Sequence, residues 1–213
     1  MTLGKFKDNP WTMNGAKKGA ALLLSDRYPS FEEIKDVDRK LTEMRRLYYY
    51  RHDLFSIQWW FLLVLLIVPW IIWWKVVDKS RLKDILLYGF AITIVIVLLD
   101  DIGSELGLWS YPHQVFRLIP RLSPIDYSVL PVIHMLIYQY FRSWKSFFVA
   151  NVILALGAAF IAEPLFVWID IYDMDHWKSI YSFPLYIAKA CFVKWSLEFM
   201  LSKANRSQQK PAN

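Results

Sequence analysis

The chain has 213 residues, of which 56% are hydrophobic, 17% aromatic and 21% charged, and its formal net charge is +6 at pH 7. Soluble domains are about 45–50% apolar, and here the excess is gathered in long runs without charge. This distribution excludes an ordinary soluble enzyme, a disordered chain, a disulfide-rich secreted module and a nucleic-acid-binding domain, and it predicts an all-α integral membrane protein. The single cysteine, Cys191, permits no intrachain disulfide and no cysteine-based metal site.

Residues 1–53 form a charged amino-terminal region without the apolar stretch of a cleaved signal peptide. Its first 28 residues carry turn formers and are expected to be irregular. Ser30 and Glu33 have the spacing of a capping box, which predicts the start of an amphipathic helix over about residues 31–50. This helix is either solvated or lies on anionic lipid, where each nearby basic residue contributes about 1 kcal/mol.

Five apolar segments follow and predict a five-helix transmembrane bundle with a polar tail at 202–213. The spans are expected at about residues 54–74, 85–109, 126–141, 146–169 and 179–201. The first has 21 residues without charge or histidine, which at 1.5 Å per residue matches a hydrocarbon core of about 30 Å. Pro69 is expected to kink its last third.

The orientation of the first segment stays open. Five crossings place eight Lys or Arg on one side and nine on the other, so the positive-inside rule does not choose. A re-entrant hairpin bent at Pro69 gives fourteen against three. We expect a full crossing, because 21 residues are too few to enter and leave the core as two helices.

One membrane face collects eight acidic residues against three basic ones, and we expect it to be the outer face because cytoplasmic loops carry Lys and Arg. The acidic residues at this face are Asp100, Asp101, Glu105, Asp126, Glu163, Asp170, Asp173 and Asp175, against Arg117, Arg121 and Lys178.

A buried polar layer is predicted below that face. Asp101, His134, Glu163 and Lys189 lie on four different helices at about 9–15 Å depth, and Glu105 shares a helix face with Asp101. Ionisable groups cost about 2.5–3.5 kcal/mol each in a bilayer, so these groups are expected to turn inward and pair. The layer is a structural ion-pair network, a ligand or metal pocket, or a proton or ion path. No cofactor or metal is assigned.

Three aromatic residues near this layer are candidates for a pocket wall. Trp109, Tyr111 and Trp177 either belong to an interfacial aromatic belt or enclose a pocket over the buried charges.

A string of spaced residues runs through the same loops. It consists of Leu99, Asp100, Ile102, Gly103, Glu105, Gly107, Leu108, Trp109, Tyr111, Pro112, Pro120, Asp126, Pro131, Glu163, Pro164 and Trp177. The string resembles an uncharacterised family of small multi-pass membrane proteins from endospore-forming relatives of Bacillus and Clostridium, over roughly residues 55–201. The resemblance implies a bacterial plasma-membrane protein of four or five spans and a link to sporulation, and it assigns no activity. The charged amino-terminal region and Lys189 depart from that family's pattern.

These observations predict a non-enzymatic membrane protein of structural, sensory or accessory function. Its expected partners are the lipid bilayer, a lipid or small-molecule ligand, and a second copy or another membrane protein, with no nucleic acid. One alternative is an enzyme acting on a lipid or isoprenoid with Asp101, Glu105 and Glu163 as acid and base. The other is a small carrier that works as an oligomer.

Overall fold

The computed structural model describes residues 28–117 and 122–208. Over these ranges the chain is helical without a β-strand, and its bridge pairing is the isolated pair Ser110–Asp173. The chain divides into two compact units, Met1–Leu47 and Tyr48–Asn213. The predicted irregular segment before Tyr28, the end of the predicted tail after residue 208, and Pro120 and Arg121 lie outside the described residues.

The first helix, α1, spans Phe31–Tyr48. Its capping box is confirmed, because the Ser30 backbone N–H donates to Glu33 Oε2 at 2.8 Å and the Glu33 N–H donates to Ser30 Oγ at 3.3 Å. Its apolar stripe is exposed throughout; the stripe consists of Phe31, Ile34, Val37, Leu41, Met44 and Leu47. A π-helical turn, Tyr49–Asp53, follows α1.

The described part of the second unit contains six α-helices. They are α2 (Ile57–Val76), α3 (Leu82–Glu105), α4 (Leu130–Tyr140), α5 (Trp144–Gly157), α6 (Glu163–Trp168) and α7 (Ser179–Gln208). A π-helical turn, Ile125–Val129, precedes α4, and another, Ala158–Ala162, joins α5 to α6.

Within the described ranges, three helical segments are long and apolar enough to cross a membrane, namely Ile57–Val76, Lys79–Glu105 and Trp144–Trp168. The first is one continuous helix that contains Pro69, so the re-entrant hairpin is wrong. The predicted segments at 126–141 and 179–201 are helical without reaching this criterion. The former is short, and the latter carries Lys189, Lys194 and Glu198.

Two predicted boundaries differ from the structure. The segment predicted to reach residue 109 ends at Glu105, because Gly107 has a φ of +64°, which terminates an α-helix. The last helix runs on to Gln208, so part of the predicted polar tail is helical.

One core cluster of the second unit lies between α3, α4, α5 and α7. Its buried members are Tyr88, Ile92, Ile96, Ile137, Phe147, Ala150, Ala190, Val193 and Leu197. The rings of Tyr88 and Tyr138 stack with centroids 4.3 Å apart. Lys194 is 1% exposed beside this core, and its ammonium donates to the Arg142 carbonyl at 2.9 Å. A buried cation outside the predicted polar layer is therefore met by a backbone acceptor.

Helix α2 is fixed to the α4 region by a side-chain contact to the backbone. Pro131 has no N–H, so it cannot donate to the Tyr127 carbonyl four residues earlier. That carbonyl instead accepts from the Trp70 indole at 3.1 Å. Pro131 thus leaves the Tyr127 carbonyl without a helical donor, and the Trp70 indole of α2 supplies a donor in its place.

We expect Trp70→Phe to lower the free energy of unfolding by about 0.5–1.5 kcal/mol, the typical value of one hydrogen bond. The measurement is denaturant titration of the purified protein, with Trp168→Phe as the control because Trp168 is 81% exposed. In a Pro131→Ala background the new N–H restores a helical donor, so the cost of Trp70→Phe should disappear. An unchanged cost in that background would contradict the assignment.

Candidate functional site

A cavity of about 460 Å³ lies in the second unit between α3, the α4 region, α5–α6 and α7. Its wall is mostly apolar, with Ile96, Leu99 and Ile133 among the lining residues. Four charged side chains also line it, namely Asp100, Asp126, Glu163 and Lys189. Each of the four is 5–8% exposed. The cavity therefore combines an apolar body with a buried charged region.

Two of the three carboxylates stand at π-helical turns. Asp126 lies within Ile125–Val129, and Glu163 directly follows Ala158–Ala162. Each turn is followed closely by a proline, Pro131 or Pro164, which lacks the N–H that continues an α-helical pattern. Single π turns inside helices are frequent at functional sites because the extra residue redirects a side chain.

The third carboxylate, Asp100, holds the loop that covers the cavity. Its Oδ1 accepts from the Trp109 indole at 2.9 Å and from the Tyr111 hydroxyl. Burial, followed by the charge of Asp100, raises the pKa of Tyr111 well above its usual value. Tyr111 therefore remains a neutral hydrogen-bond donor to the carboxylate.

The covering loop is joined to the loop between α6 and α7, and together we call them the roof (residues 106–116 and 169–178). Ser110 and Asp173 exchange two backbone hydrogen bonds of 2.9 Å. The rings of Trp109 and Trp177 meet edge to face with centroids 5.2 Å apart, and those of Tyr111 and Tyr172 stack at 5.7 Å. The roof is thus held by backbone and aromatic contacts at once.

The roof is also tied to the segment that precedes α2. His113 Nδ1 lies 3.0 Å from Asp53 Oδ1, and the Gln114 N–H donates to Asp53 Oδ2 at 3.3 Å. Burial raises the pKa of Asp53, and the neighbouring His113 opposes that rise. The Val115 carbonyl accepts from Tyr49 and Trp59. These contacts give the first roof loop a second, independent attachment.

Tyr186 links the opposite charges at the inner part of the cavity. Its hydroxyl donates to Glu163 Oε1 at 2.5 Å, and Lys189 Nζ lies 4.5 Å from the centroid of its ring. Among the described residues, Glu163 Oε2 is buried without a hydrogen-bond partner. The Glu163 carboxylate therefore has one oxygen fixed by the protein and one that faces no protein donor.

The structure brings five of the predicted site residues to the cavity. Glu163 and Lys189 line it, as do the three predicted wall residues Trp109, Tyr111 and Trp177.

Three predicted residues of the polar layer lie elsewhere. His134 is 1% exposed and donates from Nδ1 to the Leu130 carbonyl at 2.8 Å, since a carbonyl only accepts. Asp101 is partly exposed, because one residue turns an α-helix by about 100° from Asp100. Glu105 is exposed at the last turn of α3, so its predicted burial is wrong.

Sequence reasoning missed Asp100, Asp126, Tyr172 and Tyr186 as cavity residues. Asp100 and Asp126 are among the acidic residues predicted at one face, and depth alone does not separate Asp100 from Asp101. Among the residues that the structure describes, no cluster of His, Cys, Asp and Glu has the geometry of a metal site.

The cavity has an open side at α5. Ile153 lines it and is 65% exposed, so the cavity reaches the outer surface of the helices there. One turn further, Gly157 also lines the cavity, and a Cβ placed on it would meet no atom within 4 Å. We call this side the lateral gap (Ile153 and Gly157).

No family model, curated protein or solved structure matches the chain.

We expect Gly103→Ala to destabilise the protein by about 1–3 kcal/mol through overpacking. A Cβ at Gly103 would lie 2.0–2.6 Å from atoms of the Trp109 ring and displace it from Asp100. Gly157→Ala is the matched control, and helix propensity predicts a gain of about 0.5–1 kcal/mol there. Unfolding free energies test both variants, and equal effects would contradict close packing of Trp109 on Gly103.

Proposed function

We propose that the protein is a multi-pass integral membrane protein that binds an amphipathic small molecule or lipid in the cavity, as a sensory or accessory protein rather than an enzyme. The observation that carries this proposal is one cavity with an apolar body, a charged region under a fixed roof, and a lateral gap. Small-molecule sites have volumes of about 300–1,000 Å³ with mostly apolar walls and few polar groups, and about 460 Å³ falls within that range.

The surface of the second unit supports the membrane proposal. Large apolar side chains of α2 are about half exposed, among them Val64, Ile67 and Ile71. Contiguous exposed apolar surface of this kind is uncommon in soluble monomers. In the five-span arrangement that we propose, the turn and helix at 125–140 and α7 complete the bundle, and Asp126, Lys189 and Lys194 are buried within it. Location in a bacterial plasma membrane rests on the resemblance described above.

The lateral gap favours one second candidate, a membrane enzyme that acts on a lipid. Such an enzyme needs a path from the lipid to its carboxylates. Of the three acids predicted for this chemistry, Glu163 lines the cavity, whereas Asp101 and Glu105 do not. The candidate therefore depends on Glu163 together with Asp100 or Asp126, and turnover of a bound lipid would distinguish it from binding alone.

The topology is tested by cysteine labelling in intact cells. After Cys191→Ser, single variants Ser110→Cys, Ser143→Cys and Ser179→Cys are treated with a membrane-impermeant thiol reagent. We expect labelling at position 110, which lies in the roof, and at position 179, which directly follows it, and none at 143 until the membrane is permeabilised. Labelling at 143 from outside with 110 silent would reverse the orientation. Ser30→Cys tests separately whether α2 crosses.

Ligand binding is tested by native mass spectrometry of protein extracted in mild detergent. We expect a bound small molecule or lipid on the wild-type protein and its loss in Gly157→Phe, because the new ring enters the open space of the lateral gap. Gly157→Ala is the control and should keep the adduct. The same adduct on Gly157→Phe, with unchanged circular dichroism, would contradict binding in this cavity.

A further inference from the structure

We infer that the cavity recognises a neutral hydroxyl head group, so that the ligand class is a long-chain alcohol or another lipid that carries a hydroxyl. This inference rests on the proposed function and names the ligand class for the same cavity. It comes from three features: the buried oxygen of Glu163, the ammonium of Lys189 beside the same tyrosine, and the apolar path from the lateral gap.

Glu163 presents a hydrogen-bond acceptor to the ligand. The residue is 7% exposed, and the Tyr186 hydroxyl fixes its carboxylate by donating to Oε1 at 2.5 Å. Its Oε2 is buried without a hydrogen-bond partner among the described residues. A buried acceptor without a donor is costly, and a hydrogen bond to a charged group is worth more than one between neutral groups. A head group that donates is therefore favoured over one that only accepts, such as an ether or an ester.

Lys189 brings a hydrogen-bond donor to the same part of the cavity. Its ammonium lies 4.5 Å from the centroid of the Tyr186 ring, and the hydroxyl of that ring binds Glu163. An ammonium has three N–H donors, and a contact with one ring face does not use them all. A hydroxyl both donates and accepts, so it complements Glu163 and Lys189 together. An ammonium head group only donates and a carboxylate only accepts.

The path into the cavity favours a neutral head group. The lateral gap lies at Ile153, which is 65% exposed, and at Gly157, where a Cβ would meet no atom within 4 Å. In the proposed membrane arrangement a ligand enters there from lipid and leaves the water around its head group behind. Moving a charged group into apolar surroundings costs far more than moving a hydroxyl. The apolar wall of the cavity, with Ile96, Leu99 and Ile133, accommodates the alkyl chain.

The inference is tested with four probes of similar length on the full chain reconstituted in phosphatidylcholine nanodiscs. Decanol and methyl nonyl ether are isomers that differ in the hydroxyl donor, whereas decylamine and decanoate are charged. Isothermal titration with empty nanodiscs subtracted gives each dissociation constant, which is expressed as a mole fraction in the lipid because the probes partition differently. We expect decanol to bind at least about tenfold more tightly than the ether, as one hydrogen bond to a charged acceptor predicts. Decanol should also bind more tightly than both charged probes.

Two variants of equal charge change assign this preference to Glu163. In Glu163→Gln the Tyr186 hydroxyl can still donate to the side-chain carbonyl, which leaves the amide N–H₂ in place of Oε2. The acceptor thereby becomes a donor, and the preference for decanol over the ether should fall to within about twofold. Glu105→Gln removes the same charge from the exposed last turn of α3 and should keep the preference within about twofold of the wild-type value. An equal loss of preference in both variants, or an unchanged preference in Glu163→Gln, would overturn the role of Glu163.

The probe series separates failure of the hydroxyl class from failure of the cavity proposal. If the ether or a charged probe binds as tightly as decanol, and this binding is lost in Gly157→Phe, the hydroxyl class is overturned while ligand binding in the cavity is supported. Binding of all four probes that is unaffected by Gly157→Phe, or absence of binding, would overturn both proposals. Because the probe comparison uses the wild-type protein, it does not depend on whether Glu163→Gln folds.

Discussion

Charged side chains buried among apolar helices require partners, and this requirement governs the second unit. An unpaired charge inside a protein costs several kcal/mol, on the order of its whole stability. Lys194 and the cavity differ in how far the protein meets this requirement. Lys194 is met by the Arg142 carbonyl at 2.9 Å, with Glu198 at 3.9 Å, so this cation is a structural contact. At the cavity, by contrast, Glu163 keeps a buried oxygen without a donor among the residues that the structure describes. This difference supports the ligand site that we propose there.

Irregular helical turns of the backbone also lie at the cavity. Two of the π turns, Ile125–Val129 and Ala158–Ala162, lie at the cavity, and each brings one acid to it, Asp126 or Glu163. A regular α-helix repeats every 3.6 residues, so one extra residue in a turn rotates all later side chains relative to earlier ones. The carbonyl that Pro131 leaves without a helical donor is met by Trp70 of α2. The local loss of helical hydrogen bonding is therefore offset by contacts between helices.

The apolar runs predicted the helices of the second unit, and the capping box predicted the start of α1, because both signals are local. Which residues line the cavity depends on how each helix is rotated about its own axis. An estimate of depth from sequence position does not give that rotation. Asp100 and Asp101 have nearly the same depth, yet Asp100 lines the cavity and Asp101 does not. Glu105 falls one turn after Asp101 but lies at the exposed helix end. Tyr186, which contacts both Glu163 and Lys189, carried no signal beyond its aromatic character.

The cavity is closed firmly on one side and weakly on another, and this asymmetry bears on how a ligand would reach it. Moving the roof would break the backbone pairing of Ser110 with Asp173, the contacts to Asp100 and the attachment to Asp53 together. The lateral gap needs no such change, because Gly157 has no side chain and a Cβ there would contact nothing. In the proposed membrane arrangement this gap faces lipid. In that arrangement a ligand dissolved in the bilayer can enter the cavity along α5, while the roof keeps water from the carboxylates. This arrangement suits a receptor or an enzyme that draws its ligand from the membrane better than a carrier, which must open to both faces.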